Sequence, residues 1–315
     1  MPRTKADLGE GLPQVSMDII LHLGAHRTAT TSFQHYVRDH RCKLMRHRIG
    51  FWGPQHTRNA VFPGLFKNRA TVSDRDVVAL AESRVNLLVK SAAASGFKSL
   101  LISDENLLGT CAQNLRTGQL YPQVRRRMRC LDRVFGARLS RIVLSIRSQD
   151  MWWPSAFALT WSKCRVPTRT PNFGQATLGV RRWQHVIEDI ARAAPQAELI
   201  VLPFERFAGR PHAKLRAATG IDLPPDRQER WLNASTKLLS DAALPSDRKQ
   251  PMLGQAPFAS VAHLLYKKRA LLRAAYLEDL RWLAAGADGL ATLQENGLHK
   301  PVYMRQSGTG RQQRL

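Results

Sequence analysis

The sequence predicts an α/β fold, a three-layer sandwich with a central parallel sheet covered by helices on both faces and a helical C-terminal part. Three observations carry this. Short apolar runs alternate with segments of helical period through the first two-thirds of the chain. No apolar run reaches the roughly 18–20 residues that a membrane span needs. The chain has 315 residues, 43% of them hydrophobic, with seven tryptophans and eleven phenylalanines, which is enough for a real core.

The elements follow in order. Residues 1–16 lack the apolar centre of a signal peptide and are expected to form a flexible leader. The α/β domain is expected over 17–290. DIILHL (18–23) is its first strand, and SFQHYV then enters a helix with Phe33, Tyr36 and Val37 on one face. Residues 49–70 mix Gly, Pro and aromatics and are expected to be a loop. A helix from VVALAESRVNLLVKSAAAS leads to the second strand, SLLIS (99–103). The basic helix PQVRRRMRCLDRVFG leads to the third, RIVLSI (141–146). A second loop is expected over 164–179. The helix WQHVIEDIARAA then precedes the fourth strand, ELIVLPF (198–204). Past about residue 225 no strand is expected, only one or two amphipathic helices in FASVAHLLYKKRALLRAAYLEDLRWLAAG, then a polar tail over 291–315.

Charge and cysteines narrow the function. Lys plus Arg number 48 and Asp plus Glu 24, a net charge of +24. Such a surface attracts polyanions: nucleic acid, an acidic glycan, a phosphorylated cofactor or an anionic membrane. The four cysteines, Cys42, Cys111, Cys130 and Cys164, form no CxxC pair, which disfavours a disulfide framework or a zinc ribbon and suits free thiols in a reducing cytoplasm.

The stretch GAHRTATT, Gly24 to Thr31, turns the first strand into a helix through small residues and one cation. Such a turn aims backbone N–H groups and the positive end of a helix dipole at one point. Small side chains let an anion approach closely. Arg27 adds a full charge, and Thr30 and Thr31 add hydroxyl donors. This is not a Walker A loop, since Ala29 and Thr30 stand where that pattern has Gly and Lys, so a nucleotide kinase is disfavoured.

The stretch resembles the 5′-phosphosulfate loop of sulfotransferases, G-x-x-K-x-G-T-T after the first strand. Gly24, Thr30 and Thr31 match, while Arg27 and Ala29 replace the Lys and the second Gly. A second resemblance lies in RIVLSIRSQDMWWPSAFAL, where Arg147 ends a strand and Ser155 follows eight residues later on a helix. Sulfotransferases hold the donor's 3′-phosphate with such a pair, and an arginine fork plus a hydroxyl suits a dianion. The resemblance runs from about residue 17 to 163. The family's RKG…GDWK segment has no counterpart.

What the resemblance implies is a P-loop-like fold and a donor, 3′-phosphoadenosine 5′-phosphosulfate (PAPS). Gly24, Ala25, His26, Arg27, Thr28, Ala29, Thr30 and Thr31 would hold its 5′-phosphosulfate, and Arg147 and Ser155 its 3′-phosphate. No metal is required. The sulfuryl group would pass to an acceptor hydroxyl, with carbohydrate, acidic glycans included, as the expected class. Glu105, in SDEN after the second strand, is the first choice of general base, with Asp104 pointing elsewhere. His26 is the second choice, and Arg27 would neutralise the leaving phosphate. His22 is expected to be a packed histidine and His35 to face solvent. Glu205 is expected to hold a basic side chain. The runs RRRMR (125–129) and YKKRALLR (266–273) are expected to be solvated helix faces that can dock an acidic acceptor. Two rivals remain open: a catalytically impaired cofactor- or polyanion-binding protein of the same fold, and a basic nucleic-acid-binding protein, which the lack of interleaved aromatics disfavours. The residues name no oligomeric state.

Overall fold

In a computed structural model, residues 17–66, 74–163, 178–225 and 256–294 are described. The strands are β1 (Asp18–Gly24), β2 (Ile49–Trp52), β3 (Ser99–Ser103), β4 (Leu139–Ile146), β5 (Glu198–Pro203) and β6 (Thr292–Leu293). The first helices are α1 (Thr30–Asp39), α2 (Arg41–Arg46), α3 (Pro54–His56), α4 (Asp74–Ala94), α5 (Cys111–Thr117) and α6 (Val124–Phe135). They are followed by α7 (Gln149–Lys163), α8 (Trp183–Ala193), α9 (Phe204–Phe207), α10 (Pro211–Thr219) and α11 (Ala256–Ala284).

The strands form one all-parallel sheet in the order β2-β3-β1-β4-β5-β6. A parallel sheet must bury both faces, because the crossover helices lie on them. Strand β1 does so residue by residue. Ile19, Leu21 and Leu23 enter a cluster with Val85, Leu131 and Ile187 of α4, α6 and α8. Ile20 enters the opposite cluster with Phe33, Tyr36 and Val37 of α1 and Leu215 of α10. Phe33 is fully buried, which contributes about 1.5–3 kcal/mol by removing its ring from water.

Three expectations are corrected. Residues 49–70 are not one loop. Ile49–Trp52 pairs with β3 as an edge strand, and 54–61 is helical, ending in a π-turn over Thr57–Val61. A strand does exist past residue 225: Thr292–Leu293, in the expected polar tail, pairs with β5. The run RRRMR is not wholly solvated, since Arg127 is 9% exposed. The expected leader, most of the loop 164–179 with Cys164, and the tail from 295 lie outside the described residues. Among the described residues, no helix is long and apolar enough to cross a membrane. The C-terminal amphipathic segment is a single helix, α11.

The topology positions the site. From β1 the chain runs outward to β2 and β3 on one side, while β4, β5 and β6 lie on the other. In an open α/β sheet, ligands bind outside the carboxyl ends of the strands where this reversal occurs. That edge carries the loop after Gly24, the turn after Ser103 and Arg147 after Ile146.

Candidate anion-binding site at the strand ends

The loop 25–29 owes its shape to donors that grip its carbonyls. The Ala25 carbonyl accepts from the Thr28 amide at 3.2 Å and the Thr28 hydroxyl at 2.6 Å. The His26 carbonyl accepts from Trp152 Nε1 at 2.7 Å, the Arg27 carbonyl from Arg147 Nη1 at 3.0 Å, and the Thr28 carbonyl from Lys214 Nζ at 2.6 Å. In a trans peptide the C=O and the next N–H point opposite ways. Trp152 and Lys214 therefore turn the Arg27 and Ala29 amides to the other side of the loop. The first amides of α1 have no partner within their helix and add the positive end of its dipole there.

Backbone conformation supports the same picture. Arg27 has φ 66° and Ala29 φ 60°, both left-handed, and Ala29 is the N-cap of α1 without a side-chain cap. Left-handed turns of this kind gather successive N–H groups into an anion-binding concavity. They also explain why a glycine would suit position 29. Ala29→Gly is expected to stabilise the protein by about 0.5–1 kcal/mol, the left-handed penalty of Ala less the extra chain entropy of Gly, as read by urea denaturation. Gly24 is needed for space. A Cβ there would lie 2.2 Å from Thr30 Oγ1 and 2.9 Å from His22 Cε1.

The two expected cationic corners meet at this loop. Arg27 Nε donates to Ser155 Oγ at 2.7 Å, and Arg147 donates to the Arg27 carbonyl. Ser155 is fully buried on α7, so the hydroxyl expected to assist Arg147 is engaged by Arg27 instead. The Arg147 guanidinium lies 4.5 Å over the Phe204 ring, and Trp183 Nε1 donates to its carbonyl at 2.7 Å. Burial, and the neighbouring Arg27 charge, lower its pKa, while Glu205 acts the other way. Among the described residues, no carboxylate pairs with Arg147. Glu205 is held by the Ser148 amide at 3.0 Å and the Tyr276 hydroxyl at 2.6 Å. Thr30 is buried, its hydroxyl 3.4 Å from the Ala25 carbonyl, and Thr31 is half-buried.

The turn after β3 delivers Glu105 to the first turns of α1. Asp104 caps it by accepting from the Asn106 amide at 2.9 Å, and is itself held by the Thr57 hydroxyl and by Arg58, each at 2.6 Å. Glu105 takes Arg58 at 3.0 Å and Gln34 Nε2 of α1 at 3.2 Å. Burial acts to raise its pKa, but its own backbone amide, His26, Arg58 and Gln34 outweigh burial and hold it below the usual value. The carboxylate is therefore ionised at neutral pH. Arg127 Nη1 donates to the Asn106 carbonyl at 2.8 Å and fixes the turn from beneath.

His26 is less suited to proton transfer. Its Nδ1 shares a hydrogen bond with the Tyr121 hydroxyl at 2.9 Å and its Nε2 meets the Asn106 carboxamide at 3.1 Å. Burial lowers its pKa, so the ring is neutral at pH 7. His22 is fully buried and bonded to Ser103 Oγ at 2.8 Å, as a packed histidine should be. His35 is half-buried and lies against Arg38.

Beyond Gln34 and Thr31 a groove of about 820 Å³ opens along β2, walled by Phe51, Trp52 and Phe97 and edged by Arg38 and Arg41. That size suits a small molecule. Among the described residues, no group of three or more His, Cys, Asp or Glu side chains is placed to hold a metal. Several members of the site carry no signal of their own in the sequence. Tyr121, Gln34, Arg58 and Arg127 act through contacts 21 to 95 residues apart in the chain. Comparison with protein-family models, with curated proteins and with solved structures found no match.

Proposed function

We propose that the protein is a sulfotransferase of P-loop-like fold that moves the sulfuryl group of PAPS to an acceptor hydroxyl, with carbohydrate as the acceptor class. One observation supports this above the rest: Arg27 and Arg147, from the ends of two adjacent strands, converge on one amide-lined loop. A donor with phosphates at both ends of an adenosine needs two such cationic corners.

The residues would divide the work as follows. The amides of Arg27 and Ala29, the first turn of α1 and the Arg27 charge take up the negative charge that grows on the departing 5′-phosphate. Arg147 meets the 3′-phosphate. Glu105, ionised and beside α1, accepts the proton of the acceptor hydroxyl as its oxygen bonds to sulfur and the bond from sulfur to the phosphate oxygen breaks. Gln34 and Arg58 hold the carboxylate in place. Most of the acceleration comes from positioning and charge neutralisation. The groove beside Gln34 offers the acceptor aromatic walls and a basic rim, which fits an acidic sugar.

A binding protein that has lost turnover is the second reading, and the observation that favours it is the commitment of Arg27 Nε to Ser155. The test is thermal unfolding with adenosine 3′,5′-bisphosphate (PAP) or ATP. PAP at 100 times its dissociation constant should stabilise the protein by about 2.7 kcal/mol, while ATP should not. Equal shifts, or none, would remove the donor assignment. Tight PAP binding with no sulfated product from PAPS favours the binding protein.

A further inference from the structure

Lys214 lies on α10, in PHAKLRAAT, between the buried Ala213 and Leu215. It is 1% exposed. Among the described residues its one hydrogen-bond partner is the Thr28 carbonyl, and no carboxylate pairs with it. A buried ammonium without a counter-charge is expensive, and the usual remedy is a paired acid. Here the amine instead sits directly behind the Thr28–Ala29 peptide, whose N–H, that of Ala29, faces the mouth of the loop.

We propose that the counter-charge of Lys214 is the anion held at the front of the loop, so that binding a phosphate-type anion draws one proton from solvent onto the Lys214 amine. This uses only the anion-binding half of the function proposed above. The amine and the anion lie on opposite sides of one peptide, roughly 8 Å apart. The carbonyl dipole between them points its oxygen at the amine and its N–H at the anion, so each charge favours the other.

The surroundings isolate the effect. Helix α10 packs on α1, β1, β4, β5 and α9. From β1 comes His22, buried and held neutral by desolvation, an effect that the Lys214 ammonium strengthens when it is charged. From α1 come Tyr36, whose hydroxyl donates to the Pro224 carbonyl, and the exposed Arg38 and Asp39. Arg141 of β4 pairs with Glu198 of β5. On α9, Glu205 is held by Ser148 and Tyr276, and Arg206 is exposed. On α10 itself, Arg216 pairs with Asp222 and His212 is half-buried. None of these donates to or accepts from the amine.

Burial lowers the Lys214 pKa to about 7. The free protein at about pH 8 therefore holds this amine mostly neutral, and an anion that restores its charge must bring a proton in. The sign follows by linkage: affinity is highest below the free pKa and falls as pH rises, by up to about tenfold per unit, until the bound-state pKa is passed. His22 and His26, both with lowered pKa, would take up protons only below their ordinary range, so the pH window separates them from Lys214.

The test is calorimetric titration of the full chain with PAP at about pH 8, in two buffers of unlike protonation enthalpy. At that pH the phosphates, with a second pKa of about 6, no longer titrate. The expected result is uptake of roughly one proton per PAP at about pH 8 and much less at about pH 6. Lys214→Met should abolish the uptake and weaken binding about tenfold or more at neutral pH. PAP binding without proton uptake, or uptake that survives Lys214→Met, would overturn the proposal. The wild-type measurement decides alone should the variant fail to fold. If PAP does not bind, inorganic sulfate is followed by thermal stabilisation between pH 6.5 and 9. Sulfate binding that weakens with pH sustains the role of Lys214 and removes the donor assignment; binding of neither removes both.

Discussion

Glu105→Gln should lower sulfuryl transfer by about 10²–10⁴-fold, the usual contribution of a positioned general base, and leave PAP affinity within about threefold. Turnover is read as PAP release from PAPS over a panel of glycan acceptors. The substitution keeps the shape that Gln34 recognises but cannot accept the hydroxyl proton. It also weakens the contact with Arg58, whose side chain is 42% exposed, so the stability cost should stay near or below about 1 kcal/mol. A variant that turns over at the wild-type rate would move the base elsewhere, and one that loses PAP binding would make Glu105 a structural partner of Arg58. Its lowered pKa fits a base that is ionised across the neutral range, with activity lost as pH falls through the carboxylate range.

Arg147→Ala should weaken PAP binding by about 10–100-fold, the value of charge-assisted hydrogen bonds to one phosphate. Its apo-state side-chain roles are one bond to the Arg27 carbonyl and a contact over the Phe204 ring, so the stability cost should be about 1–2 kcal/mol, as read by urea denaturation. The control is Arg125→Ala, on the exposed side of α6. If both variants lose affinity equally, the net charge of +24 attracts the ligand and no specific corner exists. Specific binding predicts loss at Arg147 alone, and it should persist at ionic strengths that screen surface charge.

The central strands were legible because they are long, apolar and followed by helices of clear period. β1, β3, β4 and β5 fall within two residues of their expected bounds. The edges were not. β2 is four residues, IGFW, with a glycine inside and Gly-Pro after it, so turn chemistry hid a strand that only pairing with β3 creates. β6 is two residues long and exists by its pairing with β5.

The site divides the same way. Gly24, Arg27 and Arg147 announced themselves at strand ends, where parallel topology gathers them on one edge. Ser155 was found in the right helix but with the other arginine as its partner, because the reach of a guanidinium across the loop is not written in spacing. Arg127 looked like one cation in a solvated run, yet α6 turns it inward beneath the Asn106 turn and against the Phe66 ring at 4.2 Å. Lys214 gave no signal at all. Its burial is fixed by α10 lying on β1 and α1, a tertiary fact that local period does not encode.

The most direct measurement is a crystal structure of the PAP complex. The account predicts the 5′-phosphate against the amides of Arg27 and Ala29 and the first turn of α1, and the 3′-phosphate on the Arg147 guanidinium, within one continuous site. PAP bound outside that loop, or with Arg147 touching neither phosphate, would contradict it.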